Sequence, residues 1–502
     1  MRSIKTLLER EGFNYLLTPR PLVNIKPIEG EDFCEYMFQL MADEDRRVLI
    51  IPDIDIDGYF SAKIMFDTFK YLGIEAPRVY LHPYSHHGLT SSMAMWILQK
   101  KYTHVIVVDS SSNELESISL LCMNGVRVCI LDHHICNYSM NNYPKLCKIF
   151  NNILHMKEGY KLPYKCASCG LITALYCNYV LSRFGKTLPS DLWTFAAVTL
   201  YSDCMDTLDP FNVSVLNAVR LKGTLPVVLQ KISGKKIKDF NRDIVTYSIN
   251  PKINSCLRLE RFDLIYRLLF VRVEYSEELK IYDTIHSYNR QLKEYLGTLE
   301  GELPIVNHGY IASVNMTALT KSVYTNFKGL LANKIGEQLG KLTIGYYIIG
   351  HTVYGSVRDP MSREILPIFR EYCYAEGHMS AFGFEIDERK FDGLIDYVQR
   401  SLDELDKKPK KPIIIGENEY SLDDASLKQL SIVNEYTTVN HVLVRIRINP
   451  EKYAIRSTRY GYQITSSNLR MSSNIPVSYG NVVLAAPVYG TTTKLHIKTL
   501  GG

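Results

Sequence analysis

The sequence predicts an α/β protein of several domains, the first built on a mostly parallel sheet. Apolar runs rich in β-branched residues alternate with helical patterns from residue 46 onward, which is typical of a parallel sheet covered by helices. Three of these runs end in aspartate, one of them with two histidines after it. A chain of 502 residues is long enough for roughly two to four domains.

Composition and charge narrow the class of protein without identifying it. A hydrophobic fraction of 46% and a charged fraction of 22% are ordinary for a globular protein. A net charge of +5 fits a polyanionic partner but does not require one. Because no run resembles a signal peptide or a span of about 20 apolar residues, we expect no membrane association.

Eleven cysteines are scattered without a disulfide framework, so we expect a reducing, cytoplasmic location. Cys166 and Cys169 form a C-x-x-C pair that is half of a typical zinc site. Since a second pair at matching spacing is missing, we favour packing in the core for these two residues over zinc binding.

The first strand leads into three carboxylates. Residues 1–45 form a lead-in segment, and the apolar run 49–52 is followed by Asp53, Asp55 and Asp57 before Gly58. A strand that continued through them would point all three side chains the same way. Carboxylates crowded in this way need a positive charge among them, and a divalent cation with oxygen ligands is the usual one. An acidic surface loop is the alternative.

The next two strands also end in potential metal ligands. The runs THVIVVD and VRVCILDHH each finish in aspartate, and a later, mainly apolar run finishes in another. These candidates are Asp109, then Asp132, His133 and His134, and finally Asp203. Because the carboxyl ends of parallel strands line one crevice, we expect the strand-end residues to converge.

A histidine-rich loop lies at the same predicted end of the sheet. Residues 82–88 read HPYSHHG. Its three histidines either contact substrate phosphates or are solvated loop residues, and we favour the second account.

These motifs together resemble the DHH phosphoesterase superfamily. The first motif, the lone strand-end aspartate, the Asp-His-His run and the later aspartate follow its four-motif order. Residues 250–259 (NPKINSCLRL) are similar to a signature of its RecJ-like exonuclease branch. Residues 354–359 (YGSVRD) and 376–384 (EGHMSAFGF) resemble motifs of the DHH-associated C-terminal domain.

The resemblance implies a division into domains. Residues 1–270 would form the DHH catalytic domain with its lead-in, 271–300 a long linking helix, and 301–406 a second α/β domain of the DHH-associated type. After the break KKPKKP, residues 412–502 are rich in strand-like runs and are predicted to form a small all-β module. An OB-fold, expected there by analogy of position, and an unrelated β-fold are both compatible with the pattern.

The resemblance also assigns roles at the metal site. A phosphodiester is an anion attacked by water, and two divalent ions both neutralise the anion and acidify the water. Manganese suits carboxylates with imidazole, and magnesium is the alternative. By resemblance Asp109 would bridge the two ions, His133 would bind one, and His134 would face the scissile phosphate while Asp132 orients a histidine. The remaining ligands would be Asp53, Asp55, Asp57 and Asp203.

Two further sets of residues resemble substrate-binding groups. Asn254 and Arg258 match a phosphate-binding pair, for which arginine suits because its planar fork donates two hydrogen bonds. The alternative is a helix-capping asparagine and a surface arginine, and Leu257 stands where the family usually has glycine.

In the second domain, Ser356, Arg358 and His378 resemble a site for the terminal nucleotide or its phosphate. Glu376 replaces the usual first glycine of that motif, and its charge would weaken phosphate binding unless it points away.

The resemblance implies a metal-dependent exonuclease that releases mononucleotides from single-stranded DNA, in the 5′ to 3′ direction, during DNA recombination, repair or replication. Single-stranded DNA would be its partner, with replication or recombination proteins as further partners. One alternative is a DHH phosphodiesterase acting on short oligonucleotides or cyclic dinucleotides. Another is a non-catalytic replication scaffold of the same fold. The sequence leaves the oligomeric state open.

Overall fold

The computed structural model describes most of the chain, and its residues divide into two compact units. The described residues are 4–10, 13, 16, 25–83, 87–235, 239–319, 327–361, 363–405, 413–416, 424–436, 442–458, 461–465, 470–473, 476–479, 481–488 and 494–501. The larger unit comprises Pro21–Pro360 and Ile365–Asp392. The smaller unit comprises Met1–Arg20, Met361–Glu364 and Gly393–Gly502.

Five parallel strands form the first sheet of the larger unit. They are β1 (Val48–Pro52), β2 (Arg78–Val79), β3 (His104–Val108), β4 (Arg127–Asp132) and β5 (Cys147–Asn151). Their order is β2-β1-β3-β4-β5, and every neighbouring pair is parallel. The predicted parallel sheet is therefore confirmed. Pro52 of β1 pairs with Val108 of β3, so the carboxyl ends of these strands are level.

The central strand β3 anchors this sheet in the core. All five of its residues are buried, as expected for a parallel strand covered on both faces. Burying each valine or isoleucine stabilises the fold by about 1.5–3 kcal/mol. The residues that follow the strand are thus attached to a firmly packed support.

Helices alternate with these strands and continue after them. They are Gly30–Ala42, Ile56–Leu72, Ser91–Gln99, Leu115–Met123, Asn152–Lys157, Cys169–Ser182, Ser190–Ser202, Pro210–Lys222, Val227–Ser233 and Phe262–Phe270, with a 3-10 turn at Met140–Asn142.

One further helix contains a π-helical segment. Arg242–Ile244 and Asn250–Arg258 are α-helical, and Val245–Ile249 between them is a π-helix. Pro251 follows at the start of the second α-helical part. A proline ring clashes with the carbonyl four residues earlier and offers no N–H to it, and the wider π turn is one way for a helix to accommodate this.

A long helix, Tyr275–Glu302, precedes a second, six-stranded sheet. The strands are β6 (Ile305–His308), β7 (Ile311–Asn315), β8 (Leu342–Ile349), β9 (Thr352–Arg358), β10 (Tyr374–His378) and β11 (Ala381–Asp387), in the order β10-β11-β9-β8-β7-β6. Only β7 and β8 are parallel. A parallel pair needs a crossover, and the helix Lys328–Leu339 lies in this connection. The short helices Leu366–Arg370 and Glu388–Lys390 and the helix Phe391–Leu405 complete the region.

The C-terminal part of the smaller unit contains a seven-stranded sheet. Its strands are β12 (Ile413–Gly416), β13 (Val442–Arg447), β14 (Ala454–Thr458), β15 (Gly461–Thr465), β16 (Arg470–Ser473), β17 (Val482–Val488) and β18 (Lys494–Gly501), in the order β12-β13-β17-β18-β16-β15-β14. Seven strands exceed the five of an OB-fold, which favours an unrelated β-fold. The described helices Ile4–Arg10 and Asp424–Tyr436 belong to this unit, as does most of the helix Phe391–Leu405. The helix Asp424–Tyr436 was not expected from the sequence. The predicted break at 407–412 lies outside the described residues.

Among the described residues, no helix combines the length and the apolar character needed to cross a membrane.

Candidate metal centre

Acidic side chains from separate segments surround His133 at the carboxyl ends of β1, β3 and β4. Its Nε2 lies 3.2 Å from Asp109 Oδ1 and 3.1 Å from Asp203 Oδ2. The same nitrogen is 3.7 Å from Asp57 Oδ2. Asp203 is the residue that ends the helix Ser190–Ser202, so this part of the site comes from a helix end rather than from a strand.

The potential ligand atoms form three overlapping groups, each with all its atoms within 4.8 Å of one another. They are Asp53, Asp55 and Asp109; then Asp57, Asp109, His133 and Asp203; and lastly Asp109, His133 and His134. Asp109 belongs to all three. All the residues predicted as metal ligands are therefore brought together, and the arrangement has one carboxylate in common.

The three aspartates of the first motif are held by different pieces of backbone. Asp55 is the N-cap of the helix Ile56–Leu72 and accepts a hydrogen bond from Gly58 N at 2.9 Å, while Asp57 lies in the first turn. The expectation that one strand points all three the same way is therefore wrong, because an N-cap aspartate begins a helix here. A Cβ on Gly58 would lie 2.5 Å from Asp53 N, so only glycine allows this close approach.

Asp57 is fixed by the start of another helix, Cys169–Ser182. Cys169 N donates to Asp57 Oδ2 at 2.8 Å, and Gly170 N donates to Oδ1 at 2.6 Å. A helix N-terminus favours a negative charge. A Cβ on Gly170 would lie 2.6 Å from Thr199 Oγ1, which explains the glycine at this contact.

Neither cysteine of the C-x-x-C pair, Cys166 or Cys169, belongs to a group of potential metal ligands among the described residues. The Cys169 thiol is buried and donates to Leu131 O at 3.1 Å. These contacts favour the core-packing account of the pair.

Asp109 is fully buried, yet within the described part of the chain neither of its carboxylate oxygens accepts a hydrogen bond. Its backbone is left-handed, with φ of 70°, a conformation that is uncommon outside glycine and often marks a functional site. Burial, together with the charges of Asp57 and Asp55, raises the pKa of Asp109 well above its usual value.

The pKa values of the neighbouring carboxylates, Asp55 and Asp57, are raised as well. Burial and then the charge of Asp203 raise the pKa of Asp57, and burial with Asp203 and Asp53 raises the pKa of Asp55 to about 6. These groups resist ionisation together because each negative charge destabilises the others. A donor set of carboxylate oxygens with imidazole fits divalent cations such as Mn²⁺ or Mg²⁺, which would remove the repulsion.

Asp132 is buried too, but it is surrounded by donors. Its Oδ2 accepts from Ser112 Oγ at 2.6 Å, and its Oδ1 accepts from His133 N at 2.7 Å and from His134 Nδ1 at 2.8 Å. Asn151 Nδ2 donates to Ser112 Oγ at 2.9 Å. Ser112 and Asn151 were not predicted as site residues, and the only signal was the serine run after Asp109.

The pair of Asp132 and His134 favours the ionised form of both side chains. Burial raises the pKa of Asp132, but the charge and hydrogen bond of His134 outweigh it and bring that pKa well below its usual value. Burial lowers the pKa of His134, but Asp132 outweighs it and raises that pKa to about 10. His134 thus carries a positive charge at neutral pH.

The histidine-rich loop contributes two histidines with different contacts. His82 is buried, with Nε2 2.7 Å from Pro52 O, so the solvated-loop account is wrong for this residue. His87 Nδ1 lies 3.0 Å from Asp53 Oδ2, and the charge of Asp53 raises the pKa of His87 to about 9. His86 lies outside the described residues.

Asn254 and Arg258 lie one helical turn apart on Asn250–Arg258, which puts them on one face. Arg258 is half-buried. Burial and then the charge of Arg358 lower its pKa to about 10, while Asp55 acts in the opposite sense. Leu257 is buried in the same helix, so its backbone there is ordinary helix and does not require glycine.

The second sheet brings another arginine to this region. Arg358 Nη1 donates to Ser356 Oγ at 2.9 Å and to Val357 O at 2.7 Å. The backbone of His378 pairs with Ala381, and its side chain lies outside the described part of the structure.

Glu376, in the same motif, is exposed and accepts a hydrogen bond from Tyr374 Oη at 2.5 Å. Burial, then the charge of Asp132 and, more weakly, the charge of Glu376 raise the pKa of Glu114 to about 7. Glu114, which lies between β3 and β4 of the first sheet, and Glu376, which lies on β10 of the second sheet, are therefore close enough to interact electrostatically.

Part of the chain matches a known protein family. Residues 47–199 match the model described as the DHH family, N-terminal domain. The single-stranded-DNA-specific exonuclease RecJ of Bacillus subtilis is 22% identical over 313 residues, covering 60% of this chain and 38% of that protein. RecJ of Haemophilus influenzae is 22% identical over 428 residues, covering 76% of this chain and 72% of that protein. The match to the Bacillus protein thus spans well under half of that relative.

The fold is also similar to solved structures. RecJ from Thermus thermophilus in complex with Mn²⁺ superposes with a TM-score of 0.72 at 17% identity, covering 99% of this chain and 76% of that one. The Mg²⁺ complex of that protein gives a TM-score of 0.66 at 16% identity, covering 99% of this chain and 74% of that one. At this level of identity the likeness establishes the fold.

Proposed function

We propose, from the match of residues 47–199 to the DHH family N-terminal domain, that the chain is a metal-dependent exonuclease acting on single-stranded DNA. It hydrolyses phosphodiester bonds from the 5′ end, releases mononucleotides, and serves DNA recombination, repair or replication. The observation that carries this proposal is the buried Asp109 carboxylate, which belongs to three groups of potential metal ligands and accepts no hydrogen bond from any residue that the structure describes.

Two divalent ions, Mn²⁺ or Mg²⁺, are the proposed cofactors. The residues that would hold them are Asp53, Asp55, Asp57, Asp109, His133 and Asp203. When bound, such ions neutralise phosphoryl oxygens and acidify the attacking water.

The chain's own residues would orient the substrate. His134, which carries a positive charge through its hydrogen bond with Asp132, would favour the extra negative charge that a phosphodiester gains during hydrolysis. Arg258 would hold the strand next to the metal site, as its electrostatic interaction with Asp55 supports. Ser356 and Arg358, with His378, would hold a neighbouring nucleotide.

The substrate class can be tested with end-labelled single-stranded DNA, duplex DNA and a dinucleotide, each incubated with Mn²⁺ or with a chelator. We expect mononucleotides from the single strand with Mn²⁺, and none with the chelator. Preferred cleavage of the dinucleotide would favour the short-substrate phosphodiesterase. Binding of the single strand without cleavage of any substrate would favour the non-catalytic scaffold.

The role of Arg258 distinguishes long from short substrates. Arg258→Ala should weaken binding of long single strands by about 1.5–3 kcal/mol, the value of a charge-assisted contact, and the loss should shrink as salt rises. Cleavage of a dinucleotide should suffer less. Arg261→Ala is the matched control, because Arg261 is a nearby arginine paired with Asp263. Equal binding by the parent and Arg258→Ala would contradict the proposed role.

A further inference from the structure

We infer that Lys328 is a further phosphate-binding residue, which forms with Arg258 and Arg358 a cluster of three cations that receives a phosphate of the bound strand. This inference deepens the proposed function and rests on it. Lys328 lies outside every motif that indicated the two arginines, so nothing in the sequence pattern pointed to it.

The backbone of Lys328 is held against the second sheet. Lys328 is the first residue of the helix Lys328–Leu339. A Cβ on Gly345 of β8 would lie 2.4 Å from Lys328 O, so this glycine allows the helix start to rest directly on the strand.

The Lys328 side chain lies over an aromatic pair. Its Nζ is 4.9 Å from the centroid of the Tyr347 ring. That ring stacks on Tyr354 of the neighbouring strand, with centroids 5.5 Å apart and planes 18° apart. Tyr347 and Gly345 are two residues apart on β8, so both belong to the same face of the sheet.

Arg358 lies against the same helix start. A Cβ on Gly329, the residue after Lys328, would lie 2.6 Å from Arg358 Nη2 and 3.0 Å from Ser356 Oγ. Ser356 pairs with Gly345, the residue that supports Lys328. Arg358 therefore lies beside the first turn of the helix that begins at Lys328. Lys328 rests on Gly345 and Arg358 on Ser356, two small residues that pair with each other in the second sheet.

The charges of this cluster repel one another. Burial, then the charges of Arg258 and Arg358, lower the pKa of Lys328. Glu385 opposes this, with the smallest of the four effects. In the described part of the chain, neither Lys328 nor Arg358 forms an ion pair with a carboxylate. The positive end of the helix adds to the same imbalance.

An anion would relieve this repulsion, and a single strand carries one phosphate per nucleotide. Arg258 interacts electrostatically with both Asp55 of the metal centre and Arg358 of the second sheet. A strand bound at the metal centre would therefore meet Arg258 first and the other two cations next. The ligand chemistry is a phosphate group, either an internal phosphodiester or a terminal phosphate.

The binding test measures the affinity of chelator-treated protein for a labelled single strand across a range of salt concentrations. Lys328→Gln should lower affinity about tenfold, the loss expected of one charge-assisted contact. It should also reduce the slope of log affinity against log salt by about 0.7, the value for one phosphate contact on a single strand. Lys328→Arg should keep the parent slope. Lys334→Gln is the matched control, since Lys334 lies on the same helix and pairs with Glu300, and it should also keep the parent slope.

Strands with and without a 5′ phosphate separate the two sources of phosphate. An effect of Lys328→Gln on both strands assigns Lys328 to an internal phosphodiester, and an effect restricted to the phosphorylated strand assigns it to the terminal group. An unchanged slope with both strands would overturn the inference.

Thermal unfolding distinguishes a phosphate-binding role of Lys328 from a role that only supports the fold. Because Lys328 is repelled by its neighbours, Lys328→Gln should raise the Tm of the unbound protein while it weakens binding. A lower Tm together with a parent salt slope would mean that Lys328 only supports the fold, and would overturn the inference. Binding that depends on Lys328 in a protein that fails to cleave any strand would overturn the proposed exonuclease alone.

Discussion

Asp109 follows β3 and Asp132 ends β4, and the surroundings of these two aspartates shift their pKa values in opposite directions. Asp109 and Asp132 are both buried, at 0% and 1% exposure. Among the described residues, none donates a hydrogen bond to Asp109, whose pKa is raised, whereas Asp132 accepts several hydrogen bonds and has a lowered pKa. Burial alone therefore does not decide the charge of a carboxylate. The donors around it decide, and a carboxylate without donors needs a cation in order to be ionised.

This difference predicts different consequences for the same substitution. Asp109→Asn should reduce nuclease activity by about a thousandfold or more, because a neutral amide cannot balance the proposed dications and several kcal/mol of transition-state stabilisation are lost. Rates with Mn²⁺, with the folded state checked by circular dichroism, provide the measurement. Near-parent turnover by a folded Asp109→Asn protein would refute the role of Asp109 as the common ligand.

At the end of β4 the effect should be smaller. Asp132→Asn should reduce activity about 10- to 100-fold, which is typical of residues that orient metal ligands and catalytic histidines. Its metal-free form should also be less stable than the parent, by about 1–3 kcal/mol, because donors that lose their acceptor remain buried. Urea unfolding in chelator measures this. If Asp132→Asn were as inactive as Asp109→Asn yet equally stable, the distinction between the two strand ends would fail.

In the absence of metal, the carboxylates around Asp109 should make the stability of the protein depend on pH in a different way from the pair of Asp132 and His134. The raised pKa of Asp55, about 6, and the raised pKa values of Asp57 and Asp109 mean that these groups favour folding in their protonated forms. Their contribution is fully present below the unfolded-state pKa, near 4, and is lost as pH rises through about 6. The free energy of unfolding in chelator should thus decrease over this range, by on the order of 1–3 kcal/mol.

Added Mn²⁺ should cancel that decrease, because a cation favours the ionised carboxylates and stabilises the folded state that binds it. Asp109→Asn should show both a flatter pH dependence and a smaller rise in stability with Mn²⁺. A parent protein whose stability is equal at pH 4 and pH 7 in chelator would contradict the repulsion between these groups.

The pKa of His134 depends on its hydrogen bond with Asp132, so the titration of His134 tests the surroundings of Asp132. Its pKa is raised to about 10, so its ionised form stabilises the fold below its unfolded pKa of about 6.5, and this contribution is lost as pH rises through about 10. In Asp132→Asn the His134 pKa should fall below its raised value, because the largest stabilising interaction of the imidazolium is removed while burial still lowers the pKa and the charges of Asp203 and Asp53 still raise it. Titration of the ring resonances by NMR, with His87 in the same spectrum as an internal control paired with Asp53, measures this shift.

The smallest effect is expected at Cys169. Its thiol donates to Leu131 O, but the contact of Cys169 with the acidic site is through its backbone N–H to Asp57, which Cys169→Ser retains. Bound metal, measured by mass spectrometry of the purified protein, should not change. Zinc lost in proportion to this substitution would restore the C-x-x-C metal site.

Much of the fold was predictable because parallel strands have a strong sequence signal. The runs that became β1, β3 and β4 are mainly apolar, and each ends in or is followed by an aspartate that the sheet brings to one edge. The convergence of Asp109, Asp132 and His133 follows from that topology. The placement of Asp203 at a helix end was not fixed by any spacing, because helix packing is a long-range property.

Other features had no local signal. The orientation of Asp53, Asp55 and Asp57 depends on where the helix begins, and an N-cap aspartate overrode the period-two pattern of a strand. His87 and Lys328 acquire their neighbours only through tertiary packing, and a histidine in a loop or a lysine at a helix start is ordinary in sequence. The helix Asp424–Tyr436 interrupts a region whose flanking runs are all strand-like.

The π-helical segment Val245–Ile249 has a consequence for how this protein tolerates insertions and deletions. A π turn contains one residue more than an α turn, and each residue of an α-helix rotates the chain by about 100°. One residue added to a regular α-helix would therefore turn everything after it by about that angle. The wider π turn takes in one extra residue, so Arg258 keeps the direction in which it interacts with Asp55. A further insertion or deletion between this segment and Arg258 would have no such turn to absorb it, and it would rotate Arg258 by about 100° away from Asp55.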